Sequence, residues 1–130
     1  MTIRPNLQII YVSNMESSTA FYEKLFDAKP VFANPGYVEF AAGADSSFAI
    51  CEGTRTPDTS IVRFSEIGIH VKSTEDVDVF FDKWQNELDV KVVQKPTDEC
   101  YGRTFAVSDP DGHIIRAYSM FSNWTHYEPK

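Results

Sequence analysis

The sequence predicts an α+β fold built from two βαβββ modules. Three observations carry that expectation: short segments rich in β-branched and aromatic residues, two segments whose apolar residues recur at helical spacing, and one order of elements met twice along 130 residues. The first strand is expected over residues 6–13, NLQIIYVS. Asn14-Met15-Glu16-Ser17-Ser18 has helix-capping character, and Phe21, Leu25 and Phe26 then fall on one stripe, so the first helix runs to about Asp27. Three short strands follow, near residues 30–33, 37–42 and 47–52, divided by Asn34-Pro35-Gly36 and by Gly43-Ala44-Asp45, both turn chemistry. Residues 53–60 are polar, carry Gly and Pro, and read as a linker.

The order then begins again. Residues 66–73 (EIGIHVKS) form a strand, and residues 74–88 a helix with Val77, Phe80, Phe81, Trp84 and Leu88 on one face. Residues 89–94, 103–108 and 113–120 are strands, the last two joined by Asp109-Pro110-Asp111-Gly112. Register supports a duplication: Val12 meets Val71, Glu16 meets Glu75 and Phe21 meets Phe80 at a constant offset of 59. Asp45 meets Asp111 and Phe48 meets Ile114 at an offset of 66, the difference falling in loops around residues 96–101. The expectation is one domain over residues 1–130, with module one at about 6–53 and module two at about 65–120.

Composition narrows the function classes. With 42% hydrophobic and 24% charged residues the chain is ordinary for a globular protein, and no apolar run approaches the roughly 20 residues of a membrane helix. Met1-Thr2-Ile3-Arg4-Pro5 leads straight into a strand pattern with no apolar leader, so a cytoplasmic location is expected. Cys51 and Cys100 are too few and too far apart for a disulfide framework or a zinc knuckle and read as free thiols. A net charge of −7 and a pI near 4.8 argue against nucleic acid as a partner, whereas a small cation is tolerated. No Ser-His-Asp order, phosphate-cradling glycine loop or CxxC is present, so no catalytic residue is assigned.

Ile10-Tyr11-Val12-Ser13-Asn14 ahead of STAFYEKLF (18–26), with Tyr101-Gly102-Arg103-Thr104-Phe105 leading to Asp109-Pro110-Asp111-Gly112-His113-Ile114-Ile115-Arg116, resembles the vicinal oxygen chelate superfamily, the glyoxalase and bleomycin-resistance group, over almost the whole chain. The resemblance implies curved mixed β-sheets around a concave cleft, with helices on the outer face. In metal-dependent members the first and last strands of each module supply a ligand, and carried over by position these sites are Gln8, Ile50, Ile67 and Arg116. Only Gln8 has a donor for a divalent ion, and Arg116 places a permanent cation where an acidic ligand is usual. The resemblance therefore implies no metal and no cofactor, and a binding protein of the bleomycin-resistance type that sequesters a drug or metabolite. Two alternatives stand beside it. One is a lyase, isomerase or dioxygenase-like enzyme with an altered site, either with a relocated metal or with a metal-independent reaction that uses Glu39, Glu52 or Tyr101 as acid or base; the other is a structural or regulatory dimer module. A one-residue slip of the fifth strand would bring Glu66 or Gly68 to the site in place of Ile67.

Strand alternation groups Tyr37 with Glu39 and Ala41, Phe48 with Ile50 and Glu52, and Ile114 with Arg116 and Tyr118. If these faces line the cleft, a small organic ligand would meet Gln8, Glu39, Phe48, Ile50, Glu52, Ile67, Tyr101, Arg103, Arg116 and Tyr118. Arg116 needs a partner: Glu39, Glu52, another carboxylate, or an anionic ligand group with Arg103 assisting. Glu66 and His70 read as a solvent- or dimer-facing pair, and His113 as hairpin packing. His126 has no role, and Trp124 and Tyr127 cover a dimer or pocket edge. A homodimer is expected, because one helix per module covers only one face of each sheet.

Overall fold

Side-chain caps start both helices. Asn14 sits in extended backbone and its side chain accepts from the Ser17 N–H, and Ser73 does the same for Asp76, with Glu16 in the first turn of one helix and Glu75 and Asp76 in that of the other. In the computed structural model, which describes residues 1–53 and 56–122, the order is β1 (Leu7–Tyr11), α1 (Met15–Phe26), β2 (Phe32–Asn34), β3 (Tyr37–Ala41), β4 (Ser47–Cys51), β5 (Glu66–His70), α2 (Thr74–Glu87), β6 (Lys91–Asp98), β7 (Gly102–Ser108) and β8 (Ile114–Met120). The chain divides into two units after Ser60. Trp124, His126 and Tyr127 lie outside the described residues.

Each unit is one four-stranded mixed sheet, ordered β1-β4-β3-β2 in the first and β5-β8-β7-β6 in the second. In both, the first strand runs parallel to the last and the others pair antiparallel. The predicted βαβββ order is thus present twice. The main departure is β6, which extends to Asp98 through two register shifts in a stretch read from sequence as a loop. As an edge strand carrying Lys91, Lys95 and Pro96, it resists pairing with another chain.

In the first unit Phe21, Tyr22 and Leu25 of α1 are buried, and Phe26 packs its ring 5.3 Å from Phe40 and 5.4 Å from Phe48. Tyr22, fully buried and 5.2 Å from Phe48, was missing from the sequence-derived stripe. In the second unit Trp84 and Phe81 of α2 hold Phe105 between them at 5.3 and 5.2 Å. Val77, Ile115 and Ala117 are fully buried in the same layer.

The Asp109-Pro110-Asp111-Gly112 turn forms as its residues suggest. Gly112 takes a φ of 89°, and the Asp109 carboxylate accepts from the Asp111 and His113 N–H groups at 3.0 and 2.8 Å. Gly102, opposite Met120, is held by closeness of approach. A Cβ there would overlap the Ser119 carbonyl oxygen and lie 2.7 Å from the Met120 Cα. Among the described residues no helix is long and apolar enough to cross a membrane.

Candidate functional site

Each sheet has one face under its helix and one open face, and the ladders decide which residues share them. In the first unit Phe48 and Phe40 meet α1. Residues in register or two apart from Phe48, namely Gln8, Ile10, Val38 and Ile50, therefore point to the helix side. The open face carries Leu7, Ile9 and Tyr11 from β1, Ala49 and Cys51 from β4, Tyr37, Glu39 and Ala41 from β3, and Phe32 from β2. In the second unit Phe105 and the buried Ile67, Ile115 and Ala117 define the helix side, leaving Glu66, Gly68, His70, Ile114, Arg116, Tyr118 and Thr104 on the open face.

The residues expected from sequence to form one ligand set are thus divided. Glu39, Arg116 and Tyr118 stand on open faces. Gln8, Phe48, Ile50 and Ile67 lie on the helix sides of their own sheets, with Ile50 fully buried and Ile67 7% exposed, so none of them stands on an open face. Arg103 also belongs to the helix side, where its guanidinium donates to both oxygens of Asp78 on α2, at 2.8 and 3.0 Å, and to Asp98 at 2.9 Å. Those bonds hold it above the ordinary guanidinium range and leave it unsuited to assist Arg116. Glu52 and Tyr101 fall just outside β4 and β7.

The module alignment needs a matching correction. The caps Asn14 and Ser73 confirm the offset of 59 for the first half of each module. Ile9 pairs with Ala49 and Gly68 with Arg116, however, so Ala49 and not Ile50 corresponds to Arg116, an offset of 67. The open-face positions at the first and last strands are therefore Ile9, Ala49, Gly68 and Arg116.

Arg116 is tied on all sides. Its Nε and Nη2 donate to the two Glu66 oxygens at 2.8 and 3.0 Å, and its Nη1 donates to Gln94 Oε1 at 2.9 Å and to Thr104 Oγ1 at 3.1 Å. Thr104 is fixed in turn by donating to the Ala117 carbonyl, and Gln94 by donating to Glu99. The carboxylate expected for Arg116 is thus Glu66, rather than Glu39 or Glu52. Hydrogen bonding to Glu66 raises the Arg116 pKa against the opposing effect of burial, and the same bonds lower that of Glu66. His70 and Tyr118 stack beside the pair, ring centroids 5.2 Å apart.

This pair sets a pH dependence. Because the folded carboxyl titrates below its unfolded value, its contribution is present above the ordinary carboxylate range and is lost as pH falls through the folded value. The melting-temperature gap between wild type and Glu66→Gln should hold from pH 7 to about 5 and narrow below that. It stays modest because the Glu66 side chain is 43% exposed. A gap independent of pH down to about 3 would contradict the pairing.

The fit to a metal ion follows from these groups. Ile9, Ala49 and Gly68 bring no donor, and Arg116 brings a cation already engaged with the neighbouring carboxylate. Among the described residues no three His, Cys, Asp or Glu side chains converge. Taken unit by unit, neither the Ile9 and Ala49 pair nor the Gly68 and Arg116 pair fits a divalent ion.

Two βαβββ modules in one chain define a class of fold. The sequence model of the glyoxalase/bleomycin resistance protein/dioxygenase superfamily matches residues 4–117, and the chain belongs to that superfamily. It is 50% identical over 117 residues to the phenazine antibiotic resistance protein EhpR of Enterobacter agglomerans, covering 88% of this chain and 91% of that one. It is 32% identical over 110 residues to the trivalent organoarsenical cleaving enzyme of Bacillus sp. (strain MD1), covering 78% of this chain and 64% of that protein's length. A glyoxalase-related enzyme from Fulvimarina pelagi has the same fold, with a TM-score of 0.77 over 89% of this chain and 87% of that one at 19% identity.

Proposed function

We propose that this protein binds and sequesters a planar aromatic antibiotic of the phenazine class without a metal ion and without chemical change to the ligand. The observation that carries the reading is Arg116, a fixed guanidinium held by Glu66, Gln94 and Thr104 at the position where the superfamily places a metal donor. The relative that is 50% identical is named for phenazine resistance, which supports the ligand class. The open face of the first unit supports it as well, since Phe32, Tyr37, Tyr11 and Ile9 offer flat aromatic and aliphatic surface to a fused ring.

The test is a thermal-shift titration of chelator-treated protein with phenazine-1-carboxylate and with unsubstituted phenazine. Ligand binding only the folded state adds about 2.7 kcal/mol at 100 times its Kd, so the melting temperature should rise by roughly 10 °C. No rise with any phenazine at its solubility limit would refute the ligand class. A rise that needs added zinc, nickel or manganese would refute the metal-free reading.

A further inference from the structure

Glu39 occupies an unusual position on the open face of the first unit. It lies on an interior strand, half-buried, facing Phe32 and Ala49 across the two neighbouring strands. Arg103 and Arg116 have carboxylate partners, and Lys29 has Glu23, but among the described residues no Lys, Arg or His pairs with Glu39. Its one side-chain partner there is a neutral donor, the Tyr37 hydroxyl, which donates a hydrogen bond to Oε1 at 2.6 Å and leaves Oε2 open. A half-buried carboxylate on an apolar face without a countercharge is costly unless something supplies one.

The surroundings indicate what that group is. Phe32 and Tyr37 meet edge to face with centroids 6.1 Å apart, and the small Ala49 and Cys51 stand in register beside Glu39 and Tyr37. Aromatic rings flanking an acid attract a cation through their quadrupoles as well as through the formal charge. The net charge of −7 draws the same kind of ligand. The hydrogen bond to Glu39 keeps the Tyr37 hydroxyl protonated beyond its ordinary range, so this donor keeps Oε1 occupied and leaves Oε2 to the ligand.

We infer that Glu39, Phe32 and Tyr37 form a subsite for a protonated amine, so that the favoured ligand is an aromatic compound carrying an alkylammonium substituent. This rests on the ligand-binding reading above and specifies which group of the ligand the first unit takes.

Two matched pairs of probes separate the two ideas. The first pair is 1-(aminomethyl)phenazine and 1-(hydroxymethyl)phenazine, measured by calorimetry; the second is benzylammonium and benzyl alcohol, measured by amide shift perturbation in NMR. Wild type should bind each amine about tenfold more tightly than its alcohol, equivalent to ~1.4 kcal/mol. In Glu39→Gln, checked for folding by its melting curve, the amine-to-alcohol ratio should fall to about one. Equal affinity of wild type for the two members of either pair, or a preference that survives in Glu39→Gln, overturns the subsite. Benzylammonium preference perturbing Tyr37 and Glu39, with no binding of either phenazine, upholds the subsite and overturns the phenazine class alone.

Discussion

Phe105→Ala should destabilise the protein by about 3–5 kcal/mol, a large share of the total for a domain of this size. Phe105 is fully buried, and its ring lies against Trp84 at 5.3 Å and Phe81 at 5.2 Å, the contacts that fasten α2 to its sheet. Removing the ring forfeits its transfer free energy and leaves a cavity that two large aromatic neighbours on a capped helix cannot close. Phe64→Ala is the matched control. That side chain is 98% exposed, and its loss should change stability by no more than about 0.5 kcal/mol. Urea denaturation of both variants tests the packing, and the intermediate Phe105→Leu keeps the series readable if the alanine variant does not fold. Comparable losses at positions 64 and 105 would contradict the described core.

The second large effect is a gain. Arg116→Glu combined with Gly68→His should create a divalent metal site with a Kd on the order of micromolar, where wild type has none at that concentration. The two positions are in register on adjacent strands of the open face, and Glu66 stands two residues from Gly68 on the same side. Space permits the change, because a Cβ at Gly68 would meet Tyr118 Cε1 at 4.0 Å, an ordinary van der Waals contact. The double variant removes the guanidinium and leaves Glu66 beside a second carboxylate, a repulsion that a cation relieves. Zinc at 100 times its Kd should then raise the melting temperature of the double variant by roughly 10 °C and leave wild type unmoved. A folded double variant indifferent to zinc, nickel and cobalt would mean that Arg116 does not stand where a metal donor belongs.

These two predictions draw on unequal amounts of sequence information. The element order was legible because the capping residues, the aromatic stripes of both helices and the DPDG turn each have a local physical cause. The open-face identity of Arg116 was legible too, since Ile115 and Ala117 alternate with it. The faces of β1 and β4 were harder. In LQIIY both faces are apolar, so alternation alone does not decide whether Gln8 or Ile9 faces the helix. Strand alternation groups Phe48 with Ile50 and Glu52 without saying which side that face meets, and only the contacts of Phe48 with Tyr22 and Phe26 decide it. The signal for β5 was present and outweighed by the carried-over position. Ile67 and Ile69 alternate with Glu66, Gly68 and His70, which is the pattern of a strand with its apolar side under a helix. The Glu66 partnership with Arg116 joins residues 50 positions apart through parallel pairing, and no local pattern encodes that.

The central claim, that the protein binds its ligand without metal or chemistry, is tested most directly by calorimetric titration of chelator-treated protein with a phenazine, followed by mass spectrometry of the ligand recovered from the complex. The account predicts saturable binding of the same strength before and after chelation and return of the phenazine at its original mass. Binding that disappears on chelation and returns with a divalent ion, or recovery of a cleaved or oxidised product, would contradict it.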